Sequence, residues 1–302
     1  MSPFHRYLAE EIAVDHAEGI ISRREALRRL SLLGLNAAAA SALLAACAPG
    51  GGEGRAAAPG RPAPGAGRAT PGPATPVPTQ DITFPGPQGR TLQGAWAPAR
   101  QPRGAVLVIH ENRGLTDHIR SVAGRFAGSG YSALAVDLLS EEGGTRSFRD
   151  PAQATAALGK VPQERFVADM KAGIDELTRR VPGGEVGAVG FCFGGGMVWL
   201  LLASGEPRLS AAVPFYGPLP EHADFSGAKA AVLAIYAELD ARVNATREAA
   251  RAALERAGLP YEIVTYPGVN HAFFNDTGPR YDAAAAAQAY RRVLDWFARY
   301  LG

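Results

Sequence analysis

Val186-Gly-Ala-Val-Gly190-Phe-Cys192-Phe-Gly194-Gly195-Gly196 is the stretch on which the reading of this chain turns. Its first half is a continuous apolar run suited to a strand buried on both faces, and from Gly194 onward Met197, Val198, Leu201 and Leu202 open a helix. Glycines two residues before and two after Cys192 let the backbone turn sharply, which lifts the side chain between them above a sheet at a helix N-terminus. A thiol in that place is a candidate nucleophile, because the helix dipole and a nearby imidazole favour the thiolate. The competing readings are a buried structural cysteine and a glycine-rich phosphate loop. No Walker Lys-Ser/Thr follows, and the G-x-G-x-x-G register is absent.

On both sides of this stretch the chain alternates short apolar runs with amphipathic segments. Residues 105–109, 132–139, 186–191, 209–216, 231–236 and 261–266 read as strands. Residues 116–128, 246–257 and 283–301 read as helices, as does the segment carrying Val167, Met170, Ile174, Leu177 and Val181 on one face. Residues 82–97, broken by Pro85-Gly86 and Gln88-Gly89, suggest a hairpin. Strand and helix in this order predict an α/β fold, a mostly parallel sheet with helices on both faces and ligand chemistry at the carboxyl ends of the strands.

A thiol nucleophile needs a base, and the base an orienting group. His271 lies in Pro267-Gly-Val-Asn270-His271-Ala-Phe273, just after the last strand, and Asp240 follows the preceding one in Tyr236-Ala-Glu-Leu-Asp240. Glu238 competes with Asp240, which is favoured because it falls just past the strand end. Of the other histidines, His5 and His16 precede the segment read below as an export signal, and His118 and His222 are expected to be solvated. A third strand end carries His110-Glu111-Asn112-Arg113-Gly114, which lacks the second histidine of a zinc-protease H-E-x-x-H. The order nucleophile, acid, histidine is that of α/β-hydrolases, in which the backbone N–H groups of this loop and of the residue after the nucleophile form the oxyanion hole. That assigns Asn112 and Phe193.

Together these residues resemble the dienelactone hydrolases, or carboxymethylenebutenolidases, of the α/β-hydrolase fold. The resemblance runs from about residue 81 to 302 and includes G-F-C-F-G-G at 190–195, the Glu111 loop, A-V-D-L around Asp137, Asp240, N-H-A-F at 270–273 and R-Y-D-A-A at 280–284. It implies hydrolysis of a lactone or carboxylic ester by Cys192, His271 and Asp240 through an acyl-enzyme, with no cofactor and no metal. It further implies that Glu111 holds the resting thiol; the alternative for Glu111 is a strand-end salt bridge. Family members grip a substrate carboxylate with arginines, one of them four residues after the histidine. Here Asn275 stands there, and Arg146 or Arg149 is a candidate for a second contact. Rival readings are a general carboxylesterase or peptidase on the same fold, and a catalytically silent lipoprotein that binds a small molecule.

The chain has 302 residues, 47% hydrophobic and 20% charged, as expected of a folded globular protein. Lys+Arg 31 against Asp+Glu 29 leaves a net charge of +2, so neither a nucleic-acid footprint nor a polybasic membrane surface is present. Two cysteines, Cys47 and Cys192, cannot make a disulfide framework or a multi-thiolate metal site. At the N-terminus, Ser22-Arg23-Arg24 with Leu27 beyond, an uncharged run from Leu30 to Ala46, and Leu44-Ala-Ala-Cys47 resemble a twin-arginine export signal ending in a lipoprotein box. The same run also fits a buried helix or an uncleaved anchor. The export reading makes residues 1–47 a signal with Cys47 lipidated, 48–80 a disordered Pro/Gly/Ala-rich tether, and 81–302 the catalytic domain, exported and held at a bacterial membrane only through its lipid. Residues 1–21 are a long leader whose Glu10, Glu11, Asp15 and Glu18 an export signal does not explain.

Overall fold

Residues 3–47 and 75–302 are described, from a computed structural model of the chain. Most of the expected tether, residues 48–74, lies outside them. Three helices come first: α1 (Pro3–Ala17), α2 (Arg23–Leu32) and α3 (Ala37–Ala46). Then follow β1 (Gln80–Pro85), β2 (Thr91–Ala97), β3 (Ala105–Ile109), α4 (Asp117–Gly128), β4 (Ser132–Asp137), α5 (Pro151–Leu158), α6 (Gln163–Arg180) and β5 (Val186–Phe191). The chain ends with α7 (Phe193–Ala203), β6 (Leu209–Phe215), β7 (Ala231–Ala237), α8 (Ala241–Asn244), α9 (Arg247–Ala257), β8 (Tyr261–Tyr266) and α10 (Ala283–Tyr300).

The eight strands form one sheet in the order β1-β2-β4-β3-β5-β6-β7-β8. The expected hairpin is β1–β2, whose pairing with each other and with β4 is antiparallel; every pair from β4 to β8 is parallel. Strands β3, β4, β5 and β7 are buried along their whole length, which is why they read as apolar runs without alternation. Phe126 of α4 packs on Tyr290 and Phe297 of α10, while α6 packs beside α7. From β3 the chain crosses to β4 on one side and later to β5 on the other. The crevice beyond the carboxyl ends of β3 and β5 is therefore the switch point at which such sheets bind ligands.

The N-terminal helices pack on this domain beside that crevice. Phe4, Tyr7, Leu8, Glu11, Ile12 and Asp15 follow helical spacing and make the buried face of α1. The Phe4 ring meets Phe193 edge-on at 6.0 Å, and Arg28 of α2 pairs with Asp150 at 2.6 Å. The run from Leu30 to Ala46 is two helices, since α2 stops at Leu32 and Asn36, whose side chain accepts from the Ala39 N–H, starts α3. Ser22 likewise caps α2 and leaves Arg23 and Arg24 exposed. No helix among the described residues is long and apolar enough to cross a membrane. Val77 meets the catalytic domain, its N–H donating to the Gly124 carbonyl at 3.0 Å.

Candidate active site

Cys192 sits on the turn between β5 and α7 with φ 59 and ψ −120, a conformation L-residues rarely adopt. The neighbouring glycines make it possible: a Cβ on Gly190 would lie 2.1 Å from the Gly194 carbonyl oxygen, and one on Gly194 would lie 2.4 Å from that of Ile109. The Cys192 N–H donates to the Phe215 carbonyl at 3.1 Å, pinning the turn to β6. The Phe193 backbone at the start of α7 favours the charged form of the sulfur, against the larger effect of burial.

His271 and Asp240 come from the loops after β8 and β7. His271 Nδ1 is 2.6 Å from Asp240 Oδ2, and the Tyr216 ring lies against the imidazole with centroids 5.0 Å apart. Asp240 also accepts from the Val243 N–H at 3.2 Å, at the start of α8. Burial raises the Asp240 carboxyl, but the attraction and hydrogen bond of His271 outweigh it and leave the group below its ordinary value. Burial lowers the imidazole, and Asp240 together with Glu11 more than offsets this, so His271 ends above its ordinary value. Glu238 accepts from the Gly268 N–H at 2.7 Å on the exterior, which leaves Asp240 as the imidazole's partner.

The next group at the sulfur comes from the N-terminus. Cys192 Sγ donates to the Glu11 carboxylate, at 3.3 Å and 3.4 Å to its two oxygens. The Tyr7 hydroxyl stands 3.5 Å from both Sγ and His271 Nε2. The ligating atoms of Glu11, Cys192 and His271 all lie within 4.8 Å of one another. Cys192 is 2% exposed, and burial, then the charges of Glu11 and Glu111, push its thiol well above the ordinary value.

Glu111 is not the carboxylate that the thiol bonds. The Asn275 amide donates to Glu111 Oε2 at 2.6 Å and holds it from the other side, while burial raises its carboxyl. Asn275 lines the same cavity as Cys192; its Oδ1 accepts from the Thr277 N–H and hydroxyl, and one of its two amide hydrogens is committed to Glu111. Asn112 is half-buried beside Cys192, and its carbonyl accepts from Thr155 at 2.9 Å. Arg146 and Arg149 are exposed and do not line the cavity at Cys192, because Arg146 reaches outward to Asp81 at 2.6 Å. His118, expected to be solvated, is buried and bonded to Asp276 at 2.8 Å. Cys47 is half-buried at the end of α3, on the His271 side of α1.

A cavity of about 120 Å³ lies between α1 and the catalytic loops, lined among others by Glu11, Glu111, Asn112, Cys192, Asn275 and Arg280. Sequence reading missed three of the groups here: Tyr7, Glu11 and Arg280. The signal that carries them is the acidic row Glu11, Asp15, Glu18, spaced four and three residues apart and so on one face of a helix.

A strand–turn–helix elbow that carries a thiol, with an Asp-paired histidine at a neighbouring strand end, defines the class as an α/β-hydrolase. The dienelactone hydrolase family profile matches residues 93–301, and the chain belongs to that family. It is 34% identical over 243 residues to an Escherichia coli O157:H7 protein named "Putative carboxymethylenebutenolidase", covering 76% of this chain and 87% of the relative. A crystal structure named "Putative Dienelactone Hydrolase" from Klebsiella pneumoniae superimposes with a TM-score of 0.66 at 33% identity, over 74% of this chain and 98% of that one. A dienelactone hydrolase-like promiscuous phosphotriesterase from metagenomic libraries does so with a TM-score of 0.64 at 26% identity, over 75% and 100%. The chain is a hydrolase of the lactone and carboxylic ester type.

Proposed function

We propose that the chain hydrolyses a lactone or carboxylic ester through a cysteinyl acyl-enzyme built by Cys192, His271 and Asp240. The observation that carries this is the sulfur on a left-handed turn within 4.8 Å of an imidazole whose other nitrogen is paired with a buried aspartate. His271 Nε2 takes the thiol proton, and Sγ attacks the carbonyl carbon. The carbonyl π electrons move onto oxygen, toward the backbone N–H groups of Asn112 and Phe193. When the C–O bond breaks, the leaving oxygen takes the proton from His271. Water, deprotonated by the same imidazole, then attacks the thioester and releases the acid and the thiol. Asp240 keeps the Nδ1 proton in place and stabilises the imidazolium.

Cys192→Ala is expected to lower kcat by roughly three to six orders of magnitude on a panel of lactones and esters while the fold is kept, because such residues act as a unit. Full activity in that variant overturns the mechanism. We further propose that residues 1–47 direct export and that Cys47 carries a lipid, on the basis of the exposed Arg23-Arg24 pair and the Leu44-Ala-Ala-Cys47 box. Cys47→Ser should abolish lipid labelling, and an unlipidated native protein in the cytosol refutes the address.

A further inference from the structure

Glu11 differs from the acids that follow it on α1 in what it meets. Asp15 and Glu18 pair with Arg280, each at 2.8 Å. Glu11 has no arginine or lysine at ion-pair distance among the described residues, although its side chain is only 10% exposed. Its oxygens lie 3.3 Å and 3.4 Å from Cys192 Sγ, and Oε1 stands 3.9 Å from His271 Nε2. The helix that carries it lies outside residues 93–301, the part of the chain that matches the dienelactone hydrolase profile. Neither the hydrolytic mechanism nor an export signal uses this carboxylate.

The donor atoms of Glu11, Cys192 and His271 lie within 4.8 Å of one another. With zinc bond lengths of about 2.0–2.3 Å, the ligand atoms of a tetrahedral site stand about 3.3–3.8 Å apart, so this triangle is close to one face of such a site. The donor chemistry points the same way. A thiolate with an imidazole selects zinc and similar thiophilic cations over magnesium or calcium, and two anionic donors with one neutral donor cancel the charge of a divalent ion. His271 is also oriented as a metal ligand is. Its Nδ1 faces Asp240 Oδ2 at 2.6 Å, and a carboxylate behind the ring fixes the tautomer that leaves the Nε2 lone pair free toward the sulfur and Glu11. The cavity of about 120 Å³ lined by Glu11 and Cys192 opens a way for water to a fourth position. Binding breaks the Cys192 S–H bond and sends the proton to solvent, while the sulfur pair, the Nε2 lone pair and a Glu11 oxygen pair go to the metal.

We propose that Glu11, Cys192 and His271 form a binding site for zinc or a similar thiophilic divalent cation, which fastens α1 to the catalytic domain and keeps the uncleaved chain inactive. The site stands on these contacts alone. The inactivity rests on the reading of Cys192 as the reacting group, because a metal-bound sulfur and Nε2 have no lone pair for attack or for proton transfer. Removal of the residues before Cys47 takes away one ligand of the three and leaves a sulfur–imidazole pair that binds the ion more weakly.

The test titrates Co²⁺, a spectroscopic substitute for zinc, into the unlipidated full chain. A sulfur-to-cobalt charge-transfer band should appear, persist in Cys47→Ser and vanish in Cys192→Ala. Glu11→Gln, which keeps the shape of α1, should weaken binding roughly a hundredfold. Adding Zn²⁺ should bleach the band, stop ester hydrolysis until a chelator is added, and slow amide exchange within residues 3–17. The exchange measurement needs no variant and stands in if Glu11→Gln does not fold. No band in the unaltered chain, an affinity indifferent to Glu11, or exchange within residues 3–17 unmoved by zinc overturns the proposal. Cobalt binding that needs Glu11 and Cys192, in a chain that hydrolyses nothing with metal removed, would leave the site standing and remove the catalytic reading. Ester hydrolysis that depends on Cys192, with no cobalt band, would do the reverse.

Discussion

The catalytic domain and the N-terminal helices stand on opposite kinds of burial. Around Leu107, at the middle of β3, the buried side chains are apolar and the strand is 0% exposed throughout. On α1 the buried face mixes Phe4, Tyr7, Leu8 and Ile12 with Glu11 and Asp15. A face of the first kind is stable in any partner of matching shape. A face of the second kind is stable only where each charge meets a specific group, here the Cys192 thiol and the Arg280 guanidinium. Polar burial of that sort specifies a site and releases readily once its partners are taken away, whereas the sheet opens only with the whole domain.

The two kinds of burial should respond differently to the same cavity. Leu107→Ala should destabilise the domain by about 2–5 kcal/mol and lower its single melting transition. Leu8→Ala removes an equally buried side chain, yet it should leave that transition nearly unchanged and instead speed amide exchange within residues 3–17. Equal melting shifts from the two variants would mean that α1 folds as part of the same cooperative unit.

Charge at the interface gives a smaller effect. Glu11→Gln removes the larger of the two negative charges that push the Cys192 thiol up, leaving burial and Glu111. The thiolate, followed by its ultraviolet absorbance, should form at a lower pH than in the unaltered chain, so that more of Cys192 is thiolate at a given pH. An unchanged titration would mean that Glu11 does not feel the sulfur in solution. The smallest effect belongs to the domain itself. Asp240 is depressed below 3.8, so its contribution to stability is present above pH 3.8 and lost as pH falls through its folded value. His271 is raised above 6.5, so its contribution is full below pH 6.5 and lost as pH rises through its folded value. The melting difference between the native chain and Asp240→Asn should therefore peak between about pH 4 and 6.5 and shrink on either side.

What the sequence made legible follows the same division. Strands buried on both faces announce themselves as apolar runs, and the elbow glycines, Asp240 and His271 stand at strand ends that local pattern locates. The expected elements at 105–109, 186–191 and 261–266 coincide with β3, β5 and β8. Glu11 and Cys192 are 181 residues apart, and no periodicity links them. An acid on the buried face of α1 reads as polar, so local pattern gives the helix no partner surface. Glu111 acts on the thiol through its charge, while its Oε2 accepts from the Asn275 amide, a partner from a distant loop that local pattern does not locate. Arg146 is held by Asp81, 65 residues earlier in the chain, a pairing that local pattern does not reveal.

The relation between α1 and the catalytic sulfur is tested most directly by the chain's own two thiols. Iodoacetamide labelling of the unlipidated full chain, resolved by peptide mass spectrometry, compares Cys47, half-buried at the end of α3, with Cys192 beneath α1. Cys192 should label roughly a hundredfold more slowly than Cys47, and Leu8→Asp, which undocks α1, should make Cys192 the faster of the two. Cys192 labelling as fast as Cys47 in the unaltered chain would contradict it.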